Sequence, residues 1–210
     1  NPFTGMILSE LKSRGVSCHD YIPEQEKMPT FASVIVSEFS GERTVMSYHP
    51  DPLDGPIAFP GDRDGKIALI DGFHTPQAIE AASYCRDHDI PVVFDGGSWK
   101  KDSDRLLSLV DVAICSANFF PPNTNSVEDV IHYLQDCGIG RIAITRGKKS
   151  IIYSEGDVNL KMDVPEIKAV DTLAAGDIFH GAFCYYYGSG ASFTNSLREA
   201  ISVAARSCLH

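Results

Sequence analysis

The sequence contains no apolar run approaching the roughly 18 residues that a membrane-spanning helix requires, and its start lacks the charged-then-apolar layout of a secretory leader. Its six cysteines (Cys18, Cys85, Cys115, Cys137, Cys184 and Cys208) include no CxxC pair, and its seven histidines show no HxxxH or HExxH spacing. That pattern argues against a structural zinc and reads as reduced thiols set in apolar segments. Basic residues are scarce, 18 Lys and Arg against 28 Asp and Glu, for a net charge of −10. Nucleic acid and anionic membrane surfaces both demand a basic partner, so neither is expected here, although a local basic pocket is compatible with the total. With 210 residues, 43% hydrophobic and 22% charged, the chain is expected to be a soluble, cytoplasmic protein with one sizeable core.

The opening places Met6, Ile7, Leu8 and Leu11 on one helical face before a Gly15-Val16 stop. Residues 30–37 and 44–48 are β-rich runs joined at 40–43 by a hairpin-type connection, and residues 49–65, with four prolines and three glycines, read as a loop. A βαβ pattern follows: strands at 67–70, 91–94, 112–115 and 142–145, helices at 76–89, 104–109 and 127–136, and an antiparallel return at 150–153. Continuous apolar strands alternating with helices predict a parallel sheet covered on both faces. The C-terminal 192–210 is helical by pattern, with Leu197, Ala200, Ile201, Ala204, Ala205 and Cys208 on one face.

The chain is organised around residues 169–187, AVDTLAAGDIFHGAFCYYY. Two acids, Asp171 and Asp177, bracket small or unhindered residues, and Ile178, Ala182, Tyr185 and Tyr186 then recur at helical spacing. Residues 174–177 therefore form the first turn. Leading helix amides lack intrahelical acceptors and sit at the positive end of the macrodipole, so small side chains there let an anion such as a phosphoryl group approach. An acid in the same turn can take a proton from an attacking hydroxyl. The spacing alone also permits a plain N-cap, with Asp171 or Thr172 capping and Asp177 favouring the dipole. Strand ends add Asp71-Gly72-Phe73-His74, the run from Asp95 to Lys100, and Thr145-Arg146-Gly147, where open α/β sheets place ligands. The Gly147-Lys148-Lys149-Ser150 string is no P-loop, because Ile142 stands where the first glycine would be needed.

The 171–177 run resembles the C-terminal signature of the PfkB carbohydrate kinase family (ribokinase-like, including ketohexokinase and fructokinase), Asp-Thr-x-Gly-Ala-Gly-Asp followed by a helix. Asp171, Thr172, Ala175, Gly176 and Asp177 match, and Ala174 replaces the first glycine. The resemblance implies a ribokinase-like α/β fold: a mostly parallel sheet covered by helices on both faces, with a small β lid at about 30–48. It implies one kinase domain over 1–210, incomplete at both ends, from a protein of roughly 280 to 320 residues. It further implies transfer of the γ-phosphoryl group of ATP, with Mg2+, to a sugar hydroxyl. Asp177 would be the base and the amides of Ala174, Ala175 and Gly176 the anion hole. Lys100, Thr145, Gly147 and Ser116 would lie on the nucleotide side, with Asp171 and Thr172 shaping the turn. A homodimer through the lid is expected. Two departures stand out. Ser150 replaces a glycine of the Thr-x-Gly-x-x-Gly turn, and Ser116-Ala117-Asn118-Phe119 replaces an Asn-x-x-Glu that feeds the magnesium network, so no residue is assigned to metal. A nucleoside or vitamin kinase of the same superfamily, or a catalytically silent assembly or regulatory relative, are the alternatives.

Overall fold

The structure, a computed structural model, describes residues 2–20, 30–36, 43–48, 65–156 and 158–209. The loop expected at 49–65 and the hairpin connection at 40–43 lie almost wholly outside the described residues. The chain divides into two compact units, Asn1–Ile57 and Ala58–His210.

In the first unit, helix α1 (Pro2–Ser13) ends where the sequence sets its stop. Gly15 adopts φ +76°, the Gly15 N–H donates to Lys12 O (3.0 Å) and the Val16 N–H to Leu11 O (3.0 Å). This is the paired bonding of a glycine-terminated helix, which any residue with a Cβ would strain. Strands β1 (Phe31–Val36) and β2 (Arg43–Tyr48) form a two-stranded antiparallel sheet, with Phe31 opposite Tyr48 and their rings stacked at 5.4 Å.

The second unit is built on a six-stranded sheet in chain order: β3 (Ala68–Ile70), β4 (Val92–Gly96), β5 (Val112–Ser116), β6 (Arg141–Arg146), β7 (Lys149–Glu155) and β8 (Val158–Met162). The first three pairings are parallel and the last two antiparallel. The parallel strands are joined by α2 (Thr75–Asp87), α3 (Ser103–Leu107) and α4 (Val127–Asp136), followed by α5 (Ala175–Gly188) and α6 (Phe193–Ser207). Period-two alternation splits the strand side chains between two cores. Val92, Phe94, Ala113, Cys115, Ile142 and Ile144 pack with α2, α3 and α4. Val93, Val112, Ile114, Ala143, Ile151 and Tyr153 pack with α5 and α6. The expected sheet covered on both faces is therefore observed, with β8 as a strand the sequence pattern did not mark.

The helix expected after the 174–177 turn is observed as α5. The buried face of α5 is Phe179, His180, Phe183 and Cys184, while Tyr185 is 70% exposed. The helix is apolar almost all round, so periodicity alone does not fix which stripe turns inward. At the C-terminal helix the expected face holds, with Leu197, Ala200, Ile201 and Cys208 buried.

Candidate active site

Because β3 to β6 run parallel, their carboxyl ends open on one side, and the second unit gathers its polar strand ends there. Asp71 follows β3, Asp95 lies in β4, Ser116 ends β5 and Thr145 lies opposite Ser116 in β6. The N-terminus of α5 reaches the same side. His180, in its second turn, has Nε2 3.3 Å from the Ile114 carbonyl of β5 and Nδ1 3.5 Å from Asp95 Oδ2.

The segment entering α5 is pinned from below. The Val170 N–H donates to the Cys208 carbonyl at the end of α6 (2.8 Å), and Asp171 Oδ1 accepts from the Leu173 N–H (2.8 Å). Asp171 thus builds a turn of its own and does not cap the helix. The N-cap is Ala174, in the left-handed region at φ 57°, ψ 8°, with no side-chain cap bond. A glycine adopts this conformation without cost, whereas a Cβ there costs roughly 1–2 kcal/mol. The first intrahelical bond runs from the Ile178 N–H to Ala174 O (2.9 Å). The Ala175 N–H makes a long 3.4 Å contact to Thr172 O, and the amides of Gly176 and Asp177 belong to the set that helix geometry leaves without an intrahelical acceptor. Asp177 is exposed. A Cβ at Gly176 would meet nothing within 4 Å and its φ is not positive, so neither packing nor backbone conformation calls for glycine there.

Asp95 is the electrostatic hub. Burial pushes its carboxyl above the ordinary aspartate range; His180 pulls it back down, Asp177 and Asp71 push it further up, and Lys100 pulls it down. Four charged or titratable groups thus act on this one carboxyl. Lys100 Nζ sits over the Phe73 ring, 4.1 Å from its centroid, and donates to Ser98 O at 3.4 Å. An aromatic face at that distance attracts an ammonium and limits where it can swing.

The sites expected on the nucleotide side are local to one another. The Ser116 hydroxyl donates to Gly97 O (2.8 Å) and accepts from the Asn118 N–H (3.2 Å), which leaves it one lone pair, while that of Thr145 donates to Cys115 O (3.3 Å). Gly147 has φ +60° in the β6–β7 turn, which alone accounts for glycine there. Beside it, a cavity of about 580 Å3 is lined by Arg146, Lys148, Lys149, Ser150, Asp163 and Glu166, a basic cluster within an acidic chain. Ser150 is tied down: its hydroxyl donates to Asp163 Oδ1 (2.8 Å), and its carbonyl accepts from Arg146 Nε (2.9 Å). A second cavity, about 350 Å3 and lined by Arg86, Asp89 and Asp111, opens where the strands begin, at the far end from this chemistry. There Asp111 Oδ2 is committed to the Val92 N–H (2.7 Å) and Arg86 to Ser108 O (3.2 Å).

All six cysteines are free, and the buried Cys184 thiol is pushed up to about 11 by desolvation. Among the described residues no helix is long and apolar enough to cross a membrane, and no group of three or more His, Cys, Asp or Glu is assembled to hold a metal ion. His180 is the site member that motif reasoning passed over; Asp95 was marked only as the start of a strand-end run, without a role. The available signal was a histidine three positions after Asp177, on a helix face otherwise filled by Phe179 and Phe183.

The surrounding fold recurs in solved structures. The chain aligns over its whole length with a ribokinase from Thermotoga maritima (TM-score 0.76, 15% identity, 72% of that chain). It aligns over 99% of its length with an adenosine kinase from Schistosoma mansoni (TM-score 0.77, 19% identity, 70% of that chain). In sequence it is 26% identical over 128 residues to a ribokinase of Lactococcus lactis, a match that takes in 59% of this chain and 40% of that protein. Against a ribokinase of Bacillus subtilis it is 24% identical over 212 residues, covering 96% and 69%. Matches to the Lactococcus lactis and Staphylococcus aureus ribokinases span about two fifths of those proteins' own lengths (40% and 38%). The model of the pfkB family of carbohydrate kinases matches residues 2–210; with the ribokinase-like sheet and the 171–177 turn in place, the chain belongs to that family.

Proposed function

We propose that the protein is an ATP-dependent kinase that moves the γ-phosphoryl group to a hydroxyl of a sugar, with residues 1–210 serving as its kinase domain. The observation that supports this most is the start of α5: an exposed carboxylate, Asp177, in a first turn whose leading amides have no intrahelical acceptor and whose Gly176 has no packing reason to be glycine. In this reading the substrate oxygen attacks the γ-phosphorus as its proton passes to Asp177 Oδ, and the bond to the bridging oxygen breaks to release ADP. Amides of Ala174, Ala175 and Gly176 receive the charge that builds on the phosphoryl oxygens. Lys100, held by Phe73, follows the same charge, and Thr145, Gly147 and Ser116 lie toward the nucleotide. The basic cavity beside Gly147 suits the remaining phosphates. Mg2+ supplies charge neutralisation when bound with ATP. The described residues offer no cage for it, so the nucleotide's phosphates and water would hold it, as is common for this ion. Free thiols throughout fit a reducing, cytoplasmic setting.

The test is ATP turnover by the full-length protein across a panel of sugars and nucleosides, followed by Asp177→Asn. That variant should lower kcat by about 10^2 to 10^4, the span of general-base catalysis, with little change in Tm because the side chain is exposed. A kcat close to wild type would remove Asp177 from the base role. Turnover confined to nucleosides would move the acceptor to that class.

A further inference from the structure

His180 is 6% exposed, and both of its ring nitrogens face oxygen acceptors. Nδ1 is 2.8 Å from the Gly176 carbonyl and 3.5 Å from Asp95 Oδ2; Nε2 is 3.3 Å from the Ile114 carbonyl. A neutral imidazole carries one N–H, so one nitrogen would direct a lone pair at an oxygen. Only the imidazolium donates on both sides, and its charge then requires the neighbouring carboxylate.

The position of these bonds gives them a consequence. The carbonyl that Nδ1 reaches belongs to the peptide whose N–H is that of Asp177. A bond to Gly176 O therefore fixes the plane of the Gly176–Asp177 amide, and the bond to Ile114 O ties it to the middle of a central strand. Asp95 is itself surrounded by charge: Asp71 beyond β3, Asp177 on α5 and Lys100 beyond β4 all act on it. Loss of its carboxylate would leave the ring charge inside the sheet-helix interface without a counter-ion.

We propose that Asp95 and His180 form a positioning pair: a doubly donating imidazolium, balanced by Asp95, that clamps the first turn of α5 onto β5 and sets the orientation of the Gly176–Asp177 peptide, and with it the turn that carries Asp177. Neither residue touches the transferred group; both act through Gly176 and Asp177. The proposal rests on the functional reading above for its catalytic consequence, and on hydrogen-bond geometry alone for the clamp.

Two measurements on the full-length protein test it. The first is nitrogen-15 NMR of the histidine rings at neutral pH, assigned with His180→Gln. His180 is expected to show two protonated nitrogens, and Asp95→Asn to convert it to a single-N–H tautomer. A neutral His180 in the wild type would overturn the pair. The second uses shape-selective replacements. The amide nitrogen of Asn falls near the place of Nδ1, so His180→Asn keeps the bond to Gly176; that of Gln falls near Nε2, so His180→Gln keeps only the bond to Ile114. His180→Asn should hold kcat within about tenfold of wild type. His180→Gln should lose about 10^2-fold with KM for the sugar little changed, as expected when an amide is misdirected by a fraction of an ångström. Equal losses in the two variants, or none in either, would overturn the positioning role. The NMR arm needs no substrate. It therefore decides the pair even if the wild type turned over no ATP, a result that would remove the functional reading alone.

Discussion

Gly176 and Ala174 reverse the usual placement of glycine and alanine. Ala174 occupies a left-handed position that glycine would fill without strain, and Gly176 occupies a helical position with open space where a methyl would go. Alanine is favoured over glycine inside helices by up to about 1 kcal/mol. Gly176→Ala should therefore raise stability by a few tenths to about 1 kcal/mol, read as a higher midpoint in urea. A ligand that must touch the backbone gives the opposite sign for function: the same variant should raise KM for ATP or lower kcat at least tenfold, since the added methyl lies where the phosphoryl group would approach. A variant that gained stability with unchanged kinetics would mean that no anion approaches this turn closely. The opposed signs separate a site from a structural turn, which no loss-of-function change at Asp177 does by itself. The charged residues were less visible in the sequence than the small ones. The spacing of Asp171, Gly176 and Asp177 marked the turn, whereas Asp95 and His180 lie 85 positions apart in the chain and meet only because α5 packs on the sheet face that holds Val93 and Ile114.

At the scale of elements, what the sequence specified was what local chemistry decides. The Gly15 stop, the span of α4 and the antiparallel return after Gly147 follow from a left-handed glycine, a Ser126–Asp129 capping box and a tight turn. The sheet's layering followed from continuous apolar strands. Two features depended on tertiary context. Strand β8 carries Val158, Asn159, Leu160 and Lys161, all exposed at the sheet's edge, and such a strand has no buried face to impose a pattern. The buried stripe of α5 is not set by spacing, because Ile178, Ala182 and Tyr185 are as apolar as Phe179 and Phe183; packing makes the choice, with Phe183 meeting the Phe193 ring of α6 edge-on at 5.9 Å. This gives a direct test of the phase. Phe183→Ala, at 0% exposure, should cost about 3–5 kcal/mol, while Tyr185→Ala, at 70% exposure, should stay within roughly 0.5 kcal/mol. Comparable losses on chemical denaturation would mean that the other stripe faces the core.

At the scale of the molecule, the question is what the two-stranded sheet does, since two strands alone are marginal in water. Its register places Phe31, Ile35, Met46 and Tyr48 on one face, and they are 51%, 55%, 56% and 49% exposed. We propose that this face meets its equivalent in a second copy across a two-fold axis, where each patch is self-complementary. Fully burying such a side chain contributes about 1.5–3 kcal/mol, so covering the exposed half of eight of them yields roughly 8 kcal/mol. Association itself costs on the order of 4–15 kcal/mol. Apolar burial alone thus falls near balance. The expected dimer is accordingly weak enough to depend on concentration. Light scattering of the full-length protein should show a mass that rises toward twice the monomer value through the micromolar range. Ile35→Lys should hold it at the monomer with Tm little changed, because the residue it replaces is already half exposed. A strict monomer for the wild type at micromolar concentration would rule out the face as a self-association surface, and a dimer that persists in Ile35→Lys would place the contact elsewhere on the chain.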